Sequence, residues 1–112
     1  MNQNLSMIRG DTFSFDLVLS DLDGSSIRSV FFTVKRKAAD TDVVLQKTLE
    51  NGISLLEGTT YRVRVAPEDT AGVAAGKYAY DLQIGVENDV YTVLMGTLQI
   101  IQDVTTETGA RI

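Results

Sequence analysis

The stretch Ala66–Ile84, APEDTAGVAAGKYAYDLQI, contains the two signals that decide the fold of this chain. Its first part places the only proline, Pro67, directly before two acidic residues. This order favours a short helical turn, because proline is accommodated at the first helical position and acids stabilise a helix N-terminus. Its second part predicts a β-strand with one buried face, because large side chains there occupy every second position: Tyr78, Tyr80, Leu82 and Ile84.

The same period of two recurs along the chain and predicts an all-β protein. Clear alternation marks three further strands: Thr12–Ser20, Val30–Arg36 and Tyr61–Val65. Weaker patterns complete the set: Leu5–Arg9, then Val43–Leu49 and Ile53–Leu56 around the turn pair Asn51-Gly52, and Tyr91–Gln102. About seven short strands with one wet face predict an immunoglobulin-like antiparallel β-sandwich, with a small closed barrel as the alternative.

The opening stretch favours the sandwich over the barrel. A short Pro-Glu-Asp-Thr turn before a tyrosine-bearing strand is typical of the corner where an immunoglobulin chain crosses between its sheets. We therefore predict a structural corner formed by Pro67, Asp69, Tyr78 and Tyr80, in which a tyrosine hydroxyl bonds backbone near the turn. The chain has no cysteine, so the fold cannot depend on a disulfide.

Length and composition predict one domain. The chain has 112 residues, and we assign 1–105 to a single β-sandwich domain and 106–112 to a flexible C-terminal tail. Its longest apolar runs are too short for a membrane span of about 20 residues, and its N-terminus does not resemble a signal peptide. The absence of cysteine fits a protein made in a reducing cytoplasm.

The charged and reactive residues argue against several function classes. Ten basic and fifteen acidic residues give a net charge of −5, which is not typical of a nucleic-acid binder. Histidine and cysteine are both absent, so the usual nucleophile pairs and zinc sites cannot form. We predict no enzyme activity, no cofactor and no metal. Asp16 and Asp81 are interpreted as partners of cross-strand ion pairs with Arg62 and Arg64 rather than as catalytic carboxylates.

Two short motifs are interpreted as turns. Arg9-Gly10-Asp11 joins two predicted strands, where glycine and aspartate are common turn residues. Asp21-x-Asp23-Gly24 resembles the start of a calcium loop, but the twelfth position holds Phe32 instead of the required glutamate.

Three apolar side chains interrupt otherwise polar strand faces and form our candidate interface: Val18, Phe31 and Leu94. The apolar phase of the last strand slips near Gly96, which predicts a bulge there and places Leu94 partly outside. If these side chains cluster, they form a surface suited to subunit contact.

Longer stretches resemble one family. These are IRGDTFSFDLVLSDLDGSSI, VFFTVKRKAADTDVVLQKTLENGISL and YRVRVAPEDTAGVAAGKYAYDLQIGVENDVYTVLMGTLQIIQDVT. From about Met7 to Thr105, the chain resembles immunoglobulin-like structural proteins of phages and prophages, and is similar to the N-terminal sandwich domain of tailed-phage baseplate upper proteins. The resemblance implies a virion component of the tail or baseplate that contacts other phage structural proteins, as a homo-oligomer, without nucleic acid or membrane.

The alternative is a stand-alone carbohydrate-binding sandwich that decorates the virion and attaches to glycans of the host surface. Against it stand the absence of tryptophan and an aromatic content of only 7%.

Overall fold

Eight β-strands and one short helix form the computed structural model, which describes residues 2–19 and 27–104. The strands are β1 Leu5–Ile8, β2 Phe13–Val18, β3 Ile27–Lys35, β4 Leu45–Leu49, β5 Gly52–Glu57, β6 Thr60–Val65, β7 Gly76–Val86 and β8 Asp89–Ile101. The helix, α1, is Pro67–Thr70 and lies between β6 and β7. The predicted turn at Asp21-x-Asp23-Gly24 and the predicted tail 106–112 lie outside the described residues.

The strands are hydrogen-bonded in the order β1-β8-β7-β3-β4-β5-β6-β2. Together they make one continuous eight-stranded sheet, of which we name the part formed by β1, β8, β7, β3 and β4 the larger sheet and the part formed by β5, β6 and β2 the smaller sheet. Within residues 2–19 and 27–104, the two parts are joined by the pairing of β4 with β5 at two register positions. The third, seventh and eighth strands lie side by side, as do the second, sixth and fifth, which is the immunoglobulin arrangement. The prediction of an all-β immunoglobulin-like sandwich is therefore confirmed, with eight strands and two parallel pairings, β1–β8 and β4–β5.

Aromatic rings join the two sheets across the core. Phe15 of β2 meets Phe32 of β3 edge to face, with ring centroids 5.5 Å apart, and Phe32 lies 5.6 Å from the Tyr80 ring of β7. Phe32 is completely buried, and full burial of such a side chain contributes roughly 1.5–3 kcal/mol. The other fully buried apolar residues are those of the alternating strands: Val30, Val34, Ile53, Val63, Val65, Leu82, Ile84, Leu98 and Ile100.

The Asn51-Gly52 turn does not close a hairpin. It joins β4 and β5 as parallel neighbours, because the chain leaves one sheet for the other at this point. Gly52 has φ +100°, and a Cβ there would lie 2.6 Å from the Cδ of Lys47 and 3.0 Å from the carbonyl oxygen of Arg64. Glycine is therefore required for both its backbone conformation and the close approach of its neighbours.

The last strand contains the predicted bulge, but at Val93. The prediction that the bulge lies near Gly96 is wrong. Leu82 is opposite Leu94 and Gln83 is opposite Thr92, so Val93 is the extra residue. The insertion brings Leu94 into phase with the buried residues that follow it. Leu94 is only 6% exposed, and the prediction that it lies partly outside is wrong.

Candidate functional site

The predicted corner is built around Asp69. Pro67 begins α1, and the Ala66 N–H donates to Asp69 Oδ2 at 2.7 Å. The same oxygen lies 2.6 Å from Nζ of Lys47, which reaches it from β4. Burial raises the pKa of Asp69, but the Lys47 ammonium, the Ala66 N–H and the nearby charge of Arg64 together hold it below its ordinary value. The corner is therefore held by a charged pair between α1 and β4.

The two candidate tyrosines have different roles. The Tyr78 hydroxyl donates to the Ala74 carbonyl, four residues earlier in the connection from α1, so Tyr78 is the corner tyrosine. The Tyr80 hydroxyl donates instead to the Gln3 carbonyl at 2.6 Å. Tyr80 does not belong to the corner, because its position on β7 places its hydroxyl next to the N-terminal segment.

The Arg9-Gly10-Asp11 tripeptide forms the turn between β1 and β2. Arg9 Nε lies 2.9 Å from Oδ1 of Asp103, and the Gly10 N–H donates to the hydroxyl of the buried Thr70 at 2.8 Å. The Gly10 bond fastens the turn to helix α1, and the Arg9 ion pair fastens it to the segment that follows β8.

The two candidate carboxylates lie on different sheets. Asp16 of β2 accepts two bonds from Arg62 of β6, at 2.8 and 3.2 Å, and the bond from Arg62 lowers the pKa of Asp16. Asp81 lies on β7, opposite Thr33 of β3 and Met95 of β8. The structure therefore does not bring the two carboxylates together as a catalytic pair would require.

The three candidate interface residues are also separated. Val18 is 60% exposed at the end of β2, whereas Phe31 is half-buried on the larger sheet. Leu94 faces the core. The three side chains therefore do not form one cluster, because β2 and β3 lie in different parts of the sheet and the Val93 bulge turns Leu94 inward.

Val18 has other apolar neighbours, which form a surface that we name the β2–β5 patch. It consists of Val18, Leu55 and Leu56, with exposed fractions of 60%, 53% and 44%. Thr60 of β6 is paired with Val18 on one side and with Glu57, the neighbour of Leu56, on the other. Leu55 is instead paired with Tyr61, whose side chain is buried in the core. The patch therefore spans the end of the strands, with Val18 and Leu55 on opposite faces of the sheet. The two leucines were missed because the bulge between Leu55 and Glu57 breaks the alternation of β5. Consecutive exposed leucines at a strand end were the available signal.

A second surface is an open depression of about 790 Å³ across β8, β7, β3 and β4, which we name the outer-sheet depression. Asn2 and Asn4 line it at the β8 side, and Val43 lies at the β4 side. Between them are small residues, the exposed apolar Met95, and polar or aromatic side chains, among which are Phe31, Thr33, Gln46, Asp81, Gln83 and Thr97. Of the predicted interface residues, only Phe31 contributes to it.

The wall formed by Asn2 and Asn4 is fixed by the backbone of β8. The Gln3 N–H donates to the Met95 carbonyl at 2.9 Å, and the Thr97 N–H donates to Asn4 Oδ1 at 3.2 Å. A Cβ at Gly96 would lie 2.3 Å from the Gln3 carbonyl oxygen, so only glycine lets the segment pass this closely. Burial raises the pKa of Tyr80, and its hydroxyl donates to the Gln3 carbonyl.

Within residues 2–19 and 27–104, no group of three acidic, histidine or cysteine side chains is placed to hold a metal ion. In this same part of the chain, no helix is long and apolar enough to cross a membrane.

Comparison with known proteins supports the fold. No protein-family model matches the chain, and no curated protein matches its sequence. Among solved structures, it is similar to an endo-β-1,4-mannanase from Thermotoga petrophila, with a TM-score of 0.56 and 12% identity over 89% of this chain. The match covers 18% of the mannanase chain, so the likeness concerns one sandwich-sized part of a larger protein and shows the fold alone.

Two further structures are less similar. A candidate glycoside hydrolase from Bacteroides vulgatus has a TM-score of 0.49 and 17% identity, with 88% of this chain and 16% of that chain covered. The extracellular domain of the voltage-gated sodium channel β4 subunit has a TM-score of 0.42 and 11% identity, with 92% and 93% covered.

Proposed function

We propose that the chain is a non-enzymatic structural or adaptor component of a bacteriophage or prophage particle, associated with the tail or baseplate. It acts through protein–protein contacts as part of a homo-oligomer, is made in the host cytoplasm and resides in the virion. The sequence resemblance from about Met7 to Thr105 supports the phage assignment. The observation that carries a contact function is the β2–β5 patch.

The β2–β5 patch has the composition of a protein contact. Single exposed apolar residues are normal on a protein surface, but contiguous ones mark interaction sites. Val18, Leu55 and Leu56 lie at the same end of the smaller sheet. The rest of that outer face is polar, with the exposed Asp16–Arg62 ion pair beside the patch. An apolar centre with a polar rim is the usual anatomy of an interface.

Substitution of the patch tests this function. Val18→Glu and Leu56→Glu place a charge on exposed positions, so we expect both variants to fold, by circular dichroism, and to be lost from purified particles. Gln99→Glu is the matched control, because Gln99 is an exposed strand residue on β8, in the larger sheet and away from the patch. Quantitative mass spectrometry of particles measures incorporation. Particles that contain the patch variants at the level of wild type and control would rule out the patch as the contact.

The second candidate function is attachment to host-surface glycans, and the outer-sheet depression is the observation that favours it. A depression with a few polar groups and an aromatic ring is suited to a small ligand. The two functions use different surfaces, so each can be tested while the other is intact.

A further inference from the structure

We propose that the outer-sheet depression is a binding site for a short neutral oligosaccharide, with Asp81, Gln83 and Phe31 as the residues that contact the sugar. This inference deepens the glycan-attachment candidate and rests on it. It does not depend on the contact function of the β2–β5 patch.

The polar residues of the depression match the hydroxyl groups of a sugar. A carboxylate accepts hydrogen bonds, and an amide side chain donates and accepts at once, so together they can pair with neighbouring hydroxyls. Thr33 lies directly opposite Asp81, and Phe31 directly opposite Gln83, on the adjacent strands β3 and β7. Residues opposite each other in a sheet have Cβ atoms about 4.5–5.5 Å apart. These four side chains therefore form one compact set on the outer face.

Phe31 supplies the apolar part of the site. It is half-buried and lines the depression, so part of its ring is available at the surface. An aromatic face carries negative potential and is large and apolar, which suits the C–H groups on the face of a pyranose ring. Phe31 beside Gln83 thus offers an apolar and a polar contact to the same sugar unit.

Charge and shape favour a neutral sugar over a second copy of this chain. Lys35 and Asp81 both line the depression, so opposite charges are present and neither an anionic nor a cationic ligand is selected. The volume of about 790 Å³ lies within the range of about 300–1,000 Å³ usual for ligand sites. A two-fold contact requires a self-complementary surface, and two identical depressions placed face to face leave a gap.

Gly96 and Tyr80 are positioning residues for this site. They hold the Gln3 carbonyl against β8 and thereby fix the wall formed by Asn2 and Asn4. We expect Tyr80→Phe to weaken sugar binding without removing any group that contacts the sugar. A purely structural role would lower stability and leave the affinity of the folded protein unchanged.

The experiment is a printed array of neutral gluco-, galacto- and manno-oligosaccharides, probed with the full chain. The best-binding oligosaccharide is then titrated into ¹⁵N-labelled protein by NMR. We expect chemical-shift changes at the backbone of Asp81, Gln83 and Phe31, and a Kd raised roughly tenfold or more by Asp81→Ala, since a hydrogen bond to a charged group is lost. If the alanine variant does not fold, Asp81→Asn replaces it in the Kd measurement.

Gln99→Ala is the matched control, because Gln99 is exposed on β8 outside the depression, and it must leave the Kd unchanged. Absence of binding on the array overturns the proposal, as do shift changes confined to other surfaces. The proposal is also overturned if the chemical shifts of the depression residues change with the protein concentration and not with the sugar concentration. That result would indicate self-association through the depression. None of these results affects the particle test of Val18→Glu, so failure of the sugar site and failure of the contact function are separate outcomes.

Discussion

Replacement of Asp69 by asparagine tests whether the ion pair between α1 and β4 holds the corner. Lys47 Nζ lies 2.6 Å from Asp69 Oδ2, and the two side chains are only 12% and 21% exposed. Asparagine keeps the size of the side chain and an oxygen that can accept the Ala66 N–H, which now bonds Asp69 at 2.7 Å. The substitution therefore removes chiefly the negative charge that faces Lys47.

The expected cost follows from these contacts. A hydrogen bond to a charged group contributes about 1.5–3 kcal/mol, and removing one partner of a fully buried pair costs about 3–5 kcal/mol. Because both side chains keep some contact with water, we expect Asp69→Asn to lower the free energy of unfolding by about 2 kcal/mol. Lys47→Met should cost less, about 1 kcal/mol, since the Asp69 carboxylate that is left keeps its bond from the Ala66 N–H and the nearby charge of Arg64. The double mutant should show a coupling energy of about 1–2 kcal/mol.

The effect should depend on pH in a defined direction. The pKa of Asp69 in the folded protein lies below its ordinary value, which is about 3.9 in an unfolded chain. Its stabilising contribution is therefore complete above that pH and is lost as the pH falls through the lowered folded pKa. The stability difference between wild type and Asp69→Asn should be constant near neutral pH and should shrink below about pH 4.

Urea unfolding followed by circular dichroism at several pH values measures both quantities. A coupling energy below about 0.5 kcal/mol lies within the additivity of independent sites and would refute the ion-pair account of the corner. A difference between wild type and Asp69→Asn that stays constant into acid would refute it as well.

Three further substitutions test other parts of the structure. Tyr78→Phe removes one hydrogen bond and should lower the free energy of unfolding by about 1 kcal/mol, whereas Tyr91→Phe, at a side chain 46% exposed, should not change it; equal urea midpoints for both would contradict the role of Tyr78. Gly96→Ala places a methyl group 2.3 Å from the Gln3 carbonyl oxygen, so hydrogen exchange at the Gln3 amide should become fast while the core stays protected. Retained Gln3 protection would show that the approach at Gly96 is not close. Asp16→Asn breaks a well-exposed ion pair and should leave the urea midpoint unchanged at pH 7, and a clear drop would contradict that expectation.

Local alternation was enough to predict the strands and the core. Every second residue from Tyr78 to Ile84 is buried, as the period of two requires. The Pro67 turn was predicted because helix-start preferences act within a few residues. The fold class then followed from the number and length of the strands and from the corner.

Features that depend on distant neighbours could not be predicted. The alternation of apolar residues showed that β8 contains an extra residue. It could not show whether that residue is Val93 or one near Gly96. Gly96 is required instead by Gln3, which is 93 positions away in the chain and passes too close for a side chain. Asn51-Gly52 is typical of hairpins, yet the change of sheet after β4 is decided by packing.

The two candidate surfaces show the same limit. The outer-sheet depression needs the N-terminal segment, β3, β4, β7 and β8 together, so no single stretch of sequence contains its pattern. The β2–β5 patch joins Val18 to leucines of β5 through the pairing of both strands with β6. Sequence alone identified Val18 and Phe31 as unusual but assigned them to one surface, since the sheet of each strand was unknown.

The most direct test of the proposed function is mass spectrometry of purified phage particles from the bacterium that carries this gene, with the tryptic peptide Val65–Lys77 as the target. The proposal predicts that this peptide is present at a copy number near that of known tail proteins. Particles that lack it, while the lysate contains the protein, would contradict a structural role in the virion.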